Sequence, residues 1–257
     1  MSLIVRDLRI GFGDRTVVDI DILEVGDGEI VGLVGESGSG KSITSLAIIG
    51  LARSAGAWVE GSIELDGREL STLGEAQWRE LRGDRIAMIF QSPVSSLNPV
   101  FRVGDQFVRA LRLHGATKAE AVDRAARAMR EVVLSPDLLR RYPHQLSGGQ
   151  AQRVAIAMAV ALRARVLLAD EPTSALDVTV QAEILELIQR MRREEGISVL
   201  FVSHDLAVVA GLCDRVAIMQ AGLIVESGPT GPTLRAPTHP YTQGLVAAVP
   251  RLGGAHA

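Results

Sequence analysis

Ile30-Val31-Gly32-Leu33-Val34 is a continuous apolar run, and it leads straight into Gly35-Glu36-Ser37-Gly38-Ser39-Gly40-Lys41-Ser42. A strand that is apolar at every position is buried on both faces, as in a parallel sheet. The octet that follows fits G-x-x-x-x-G-K-[ST], and strand before, helix after is the context that gives this motif meaning. Its glycines let backbone N–H groups close around phosphate oxygens, and the helix N-terminus adds a positive field. Lys41 would reach the β- and γ-phosphates, and Ser42 would offer its hydroxyl to Mg²⁺. Outside that context the octet would be a glycine-rich turn with an exposed lysine. The helix is expected from Lys41 to about Leu51.

The rest of the chain supplies partners for that strand. Leu3, Val5 and Leu8 to Ile10 begin one strand. Val17 to Val25 alternates apolar and acidic residues, as a half-exposed strand does. Ser62 to Gly67 reads as another alternating strand. Ile86 to Phe90, Val166 to Ala169 and Val199 to Val202 read as short buried strands. Val216 to Met219 and Leu223 to Glu226 form a hairpin through Ala221-Gly222. Val103 to Leu134 turns helical, and a helix from Val178 to Glu195 stops at Gly196. The tail after Gly228 carries five prolines and reads as less regular. Strands alternating with helices, with a helical block between, argue for a parallel α/β core, an inserted helical subdomain and an N-terminal antiparallel sheet.

Bulk properties exclude several classes. The 257 residues carry a formal net charge of -3, without the basic excess usual in nucleic-acid binding. The one cysteine, Cys213, excludes an internal disulfide framework and fits a reducing compartment. Its apolar neighbours point to a buried, inert thiol. The longest apolar stretch, Val154 to Leu168, is interrupted by Arg163 and Arg165 and is too short to span a bilayer. The N-terminus lacks the pattern of a signal peptide. A membrane role therefore has to come through a partner.

Further motifs carry chemistry. Asp170 follows Val166-Leu167-Leu168-Ala169, and a carboxylate at the end of a buried strand is placed to hold Mg²⁺ through water. The next residue, Glu171, points elsewhere and is suited to orienting and deprotonating an attacking water. Leu146-Ser147-Gly148-Gly149-Gln150 opens a helix and offers a second phosphate-binding surface. A chain that holds triphosphate in one glycine loop has no obvious need of another.

Together these residues resemble the ATP-binding cassette (ABC) family over nearly the whole chain. Leu146 to Gln150 is similar to its signature, Gln91 to its Q-loop residue, Ser174-Ala175-Leu176-Asp177 to its D-loop, and His204 to its switch histidine, all in the family's order. The resemblance implies a P-loop NTPase fold with a RecA-like parallel core, an N-terminal antiparallel β subdomain and an inserted α-helical subdomain. It implies an ATPase using ATP and Mg²⁺, in which two cassettes stack head to tail around two ATPs. Ser147, Gly148, Gly149 and Gln150 would then close on the partner's ATP, while Gly35 to Ser42 hold the chain's own. Gln91 would contact Mg²⁺ with Ser42 and Asp170, and would report the γ-phosphate to the helical subdomain. His204 would contact the γ-phosphate and orient the water; a structural histidine is the alternative reading. Asp177 would act across the dimer seam. Phe12, the only aromatic before Gly35, is either the residue that stacks on adenine or a core phenylalanine.

Two stretches narrow the resemblance. Phe90 to Pro99 and the tail Pro237-Thr238-His239-Pro240-Tyr241-Thr242-Gln243-Gly244-Leu245 resemble the peptide and nickel importers, as does Tyr142-Pro143-His144-Gln145. This implies an ATPase domain over residues 1–228, its helical subdomain at about 92–165, and a C-terminal extension over 229–257. It implies a second cassette (a paralogue before a copy), integral membrane permeases, an indirect extracytoplasmic solute-binding protein, and residence on the cytoplasmic face of a bacterial inner membrane. Gln91 to Arg102 would receive a permease helix, with Val94, Leu97, Val100 and Phe101 lining the groove where they are not core. Larger peptide-type members extend further and carry a cysteine cluster; the end at Ala257 resembles nickel- or opine-type members instead. His239 and His256 lack metal-ligand spacing, and His239 is expected to pack in the tail. The other readings are a soluble ABC ATPase of DNA repair or translation and a P-loop kinase or switch protein. The first would bring an inserted coiled coil or a second cassette, neither of which is present, and the second has no need of Leu146 to Gln150 and His204 in register.

Overall fold

The computed structural model describes residues 2–91, 96–174 and 176–248. Met1, residues 92–95 of the importer-like segment with the groove candidate Val94, Ala175 of the D-loop, and residues 249–257 with His256 lie outside the described residues. In chain order the strands are β1 (Leu3–Phe12), β2 (Arg15–Val25), β3 (Ile30–Val34), β4 (Trp58–Leu65), β5 (Arg68–Glu69), β6 (Ile86–Ile89), β7 (Val166–Asp170), β8 (Ser198–Ser203), β9 (Arg215–Gln220) and β10 (Leu223–Pro229). The helices are α1 (Lys41–Ile48), α2 (Glu75–Leu81), α3 (Val103–Leu113), α4 (Lys118–Glu131), α5 (Gly148–Leu162), α6 (Val178–Glu195), α7 (Leu206–Leu212), α8 (Thr230–Arg235) and α9 (Pro240–Ala248).

The strands form two sheets. One has the order β2-β1-β4-β5 and is antiparallel throughout. The other has the order β10-β9-β3-β8-β7-β6, parallel except where β10 returns against β9. The central strands β3, β7 and β8 are buried at every position. Because successive side chains point to opposite faces, each strand feeds two cores. Val166 and Leu168 join the core shared with the antiparallel sheet and α1. Leu167 and Ala169 join the core built with α3 to α6. Burial on both faces is what makes these strands read as unbroken apolar runs.

Three local expectations are corrected. Helix α1 ends at Ile48 rather than near Leu51, because the chain turns at Gly50 under the Trp78 ring. The helical stretch from Val103 divides into α3 and α4. Thr117 caps α4 by accepting from the Glu120 N–H, and Glu120 accepts in return from the Thr117 N–H, so a new helix starts there. The tail beyond Gly228 is helical in α8 and α9. Its prolines sit where helices begin: Pro240 opens α9 and Pro232 lies in the first turn of α8, positions that need no donated N–H. Cys213 is buried, and burial pushes its thiol far up, as expected of an inert cysteine. No described helix is long and apolar enough to cross a membrane.

Candidate functional site

The glycine loop leaves β3 and is pressed against the β9–β10 hairpin. A Cβ on Gly35 would lie 2.0 Å from the Met219 carbonyl oxygen, so no larger residue fits there. Gly40, with φ 108, takes a left-handed conformation that lets the chain enter α1. Lys41 is 5 % exposed and folds back over the loop. Its Nζ donates to the Gly35 and Glu36 carbonyls, each at 2.7 Å, and to Ser39 Oγ at 3.3 Å. The ammonium is thereby fixed beside the loop, with no carboxylate in ion-pair contact among the described residues. Burial pushes its pKa down, and the charges of Glu171, Asp170 and Glu36 resist that shift.

Strand β7 delivers the carboxylates. Asp170, at its end, is 3 % exposed, and its Oδ1 has no hydrogen-bond partner among the described residues. Burial pushes its pKa up and nearby Glu171 adds to this; a hydrogen bond with Ser42 and the Lys41 charge oppose it. Ser42, Gln91 and Asp170 line one cleft of about 400 Å³, together with Leu46, Met88, Phe90 and Ser96. A cleft lined by a carboxylate with an orphaned oxygen, a hydroxyl and a side-chain amide offers oxygen donors, and it fits a hard divalent cation such as Mg²⁺.

Glu171 turns away from that cleft because its backbone is left-handed, with φ 47, directly after the strand. Its N–H donates to the Val202 carbonyl at 3.0 Å, which ties the bend to β8. One carboxylate oxygen lies 2.9 Å from His204 Nδ1, and the other accepts from Gln91 Nε2 at 3.4 Å. Glu171 is mostly sheltered while the His204 side chain is 61 % exposed. The structure thus brings Gln91, Glu171 and His204 into one hydrogen-bonded group adjoining Lys41, Ser42 and Asp170.

Other expected residues stand apart from this group. Ser147 caps α5, accepting from the Gln150 N–H at 3.2 Å while Gln150 Oε1 accepts from the Ser147 N–H at 3.1 Å. Neither borders the cleft of Ser42 and Asp170. A Cβ on Gly148 would meet nothing within 4 Å among the described residues, so their packing gives no reason for a glycine there. Asp177 caps α6, accepting from the Val180 N–H. Phe12 is 42 % exposed at the end of β1, which removes the core reading.

Two residues were not singled out from the sequence. Gln152, fully buried on α5, donates from Nε2 to the Pro172 carbonyl and thereby ties the signature helix to the loop after Asp170. Its signal was a glutamine among the small apolar residues of that helix. Tyr241, on α9, accepts through its hydroxyl from the Glu36 N–H at 3.0 Å. A contact across that much sequence leaves no spacing signal.

Comparison with known proteins agrees with this geometry. The family model described as ABC transporter matches residues 19–174. A relative from Brucella melitensis, named for peptide import as an ATP-binding protein, is 48 % identical, with 98 % of this chain and 78 % of the relative covered. The glutathione import ATP-binding protein GsiA of Salmonella typhimurium is 52 % identical, covering 88 % of this chain and 38 % of that protein. Among solved structures, a dimeric ATP-binding cassette in a post-hydrolysis state with ADP and Pi superposes with a TM-score of 0.81 at 28 % identity, over 89 % of this chain and 98 % of the other. The matched motifs, the two-sheet architecture and the carboxylates at the end of β7 have one common explanation: the chain belongs to the ABC transporter family and is one of its ATP-binding cassettes.

Proposed function

We propose that this cassette is the ATP-hydrolysing subunit of a bacterial importer of peptides or peptide-like solutes, and that it works as one of a pair. The observation that carries the reading is Glu171, held between His204 Nδ1 and Gln91 Nε2 next to the Ser42–Asp170 cleft. Gly35 to Ser42 cradle the triphosphate, and Lys41 exchanges its loop carbonyls for phosphate oxygens. Phe12, exposed at the end of β1, stacks on the adenine. Ser42, Asp170 and Gln91 would hold Mg²⁺, which when bound neutralises charge on the β- and γ-phosphates. Gln91 and His204 orient a water, and Glu171 takes its proton as the water oxygen attacks the γ-phosphorus. The bond from that phosphorus to the β,γ-bridging oxygen breaks, giving ADP and phosphate.

The partner of each ATP comes from a second cassette, a paralogue or a copy. Ser147 to Gln150 close on the partner's nucleotide, which accounts for a Gly148 beside which the described residues leave room for a Cβ. Asp177 sits at the seam. Permease subunits hold the pair at the cytoplasmic face of the inner membrane, and the solute arrives through an extracytoplasmic binding protein. The exposed Val100 and Phe101 contribute to the surface that meets the permease, whereas Leu97 is buried in the core. The solute class rests on the names of the Brucella and Salmonella relatives.

Glu171→Gln tests the reading. The variant is expected to bind ATP with normal affinity, to hydrolyse it at least about 100-fold more slowly, and to accumulate an ATP-dependent dimer by gel filtration. Hydrolysis at the wild-type rate would remove Glu171 as the base.

A further inference from the structure

The tail beyond β10 is fastened to the glycine loop by a chain of hydrogen bonds. Glu226, on β10, accepts from the Thr238 N–H at 2.8 Å, the Thr238 hydroxyl at 2.9 Å and the His239 N–H at 3.1 Å. His239 Nδ1 then accepts from the Tyr241 N–H at 3.2 Å, and Gln243 donates from Nε2 to the Pro237 carbonyl at 3.0 Å. Pro240 opens α9 inside this knot. Tyr241 packs its ring against the helical core and places its hydroxyl on the Glu36 N–H. The carbonyl of the same residue, Glu36, accepts from Lys41 Nζ. One loop residue is therefore held on its N–H by the tail and on its C=O by the phosphate-site lysine.

We infer that Tyr241 is a positioning residue for the nucleotide site: through the Glu36 N–H, the tail fixes the glycine loop in the shape that receives the triphosphate. The inference rests on the nucleotide reading of Gly35 to Ser42. A loop whose donors are already aimed at phosphate oxygens has less to order on binding, and preorganisation of this kind raises affinity rather than the rate of the chemical step. The anchor persists at physiological pH. Burial pushes the Glu226 carboxyl up, but the Thr238 and His239 N–H groups and the Thr238 hydroxyl outweigh this and hold it at about 2. It is thus ionised well below neutrality. Among the described residues, the hydrogen bonds of Glu226 go to Thr238 and His239 rather than to the loop, so its effect on nucleotide has to pass through the tail.

The test uses the full chain, with Mg-ATP as the ligand, equilibrium binding and steady-state hydrolysis as readouts, and thermal melting as the control. Tyr241→Phe keeps the ring and removes only the oxygen. It is expected to raise the Kd and KM for ATP about three- to tenfold, the range for one lost hydrogen bond, with kcat changed less than about twofold. Glu226→Gln should reproduce that shift from a distance, and the double variant should be no worse than the single ones, because both break one chain of contacts. Wild-type affinity in Tyr241→Phe, with or without a fall in melting temperature, overturns the inference, as do fully additive effects of the two changes. Lys41→Ala separates the two levels of the argument. Loss of ATP binding there with wild-type behaviour in Tyr241→Phe sinks the tail's role alone, whereas normal ATP binding in Lys41→Ala sinks both.

Discussion

Asp170 and Lys41 show how a residue proposed to hold metal or nucleotide is made costly to its own fold. Each is nearly buried, and burial opposes the charge of each, upward for the carboxyl and downward for the ammonium. For Asp170 the folded pKa lies above the ordinary carboxylate value. The group therefore weakens the nucleotide-free fold where it is ionised, and this penalty lifts as the pH falls through its raised pKa. Asp170→Asn is expected to raise the melting midpoint of the nucleotide-free chain at neutral pH while lowering ATP hydrolysis about 100-fold or more. Paired melting curves and phosphate release measure both. Gly35 illustrates the opposite constraint. Gly35→Ala drives a Cβ into the Met219 carbonyl, which backbone pairing of β9 holds in place. A loss of about 1–3 kcal/mol is expected by denaturant titration, with ATP affinity falling alongside.

At the scale of elements, β7 and α5 divide the work. Strand β7 spends four apolar residues on two cores in order to hold Asp170 at its end. Helix α5 begins with a Ser147–Gln150 capping box that completes its own N-terminus, so the capping alone explains the serine but not the glycine beside it. Glycine in a helix costs about 0.5–1 kcal/mol relative to alanine. Gly148 is only the first residue of α5, so Gly148→Ala is expected to stabilise the isolated chain by less than that interior figure, at most about 0.5 kcal/mol, with the new methyl meeting nothing among the described residues. The same methyl should obstruct ATP-dependent dimerisation of a Glu171→Gln background. Unchanged dimerisation by light scattering would count against α5 as the surface that closes on a partner's nucleotide.

At the scale of the whole molecule, the nucleotide cleft and the exposed apolar residues Val100 and Phe101 lie at the two ends of one connection, Gln91 and the segment after it. Gln91 donates to the Glu171 carboxylate, the proposed base, and the chain that follows leads to the helical block. Val100→Glu with Phe101→Glu is expected to leave basal ATP hydrolysis of the detached subunit within about twofold of wild type, because exposed substitutions away from special features rarely disturb a fold. Transport by the assembled system should be lost. Reconstituted uptake measured beside detached ATPase decides it, and normal uptake would place the permease contact elsewhere.

The local codes were legible in the sequence because they are short and act on neighbouring residues. The apolar run of β3, the octet with Gly40 and Lys41, the carboxylates closing β7 and the helix opened by Leu146 to Gln150 each follow from spacing over a few residues. The two-sheet fold followed from the same local signals, since strands apolar at every position demand cover on both faces. What only the tertiary structure decided involves distance along the chain. It determined that Glu171 bends left-handed and meets both Gln91 and His204, that Gln152 reaches from α5 to the Pro172 carbonyl, and that Tyr241 crosses back to Glu36. It also decided that the proline-bearing tail is helical, because the tail is held by a carboxylate on β10 rather than by its own propensity. A hydrogen bond between remote residues leaves no periodicity for sequence to carry; it exists only once packing has brought donor and acceptor together.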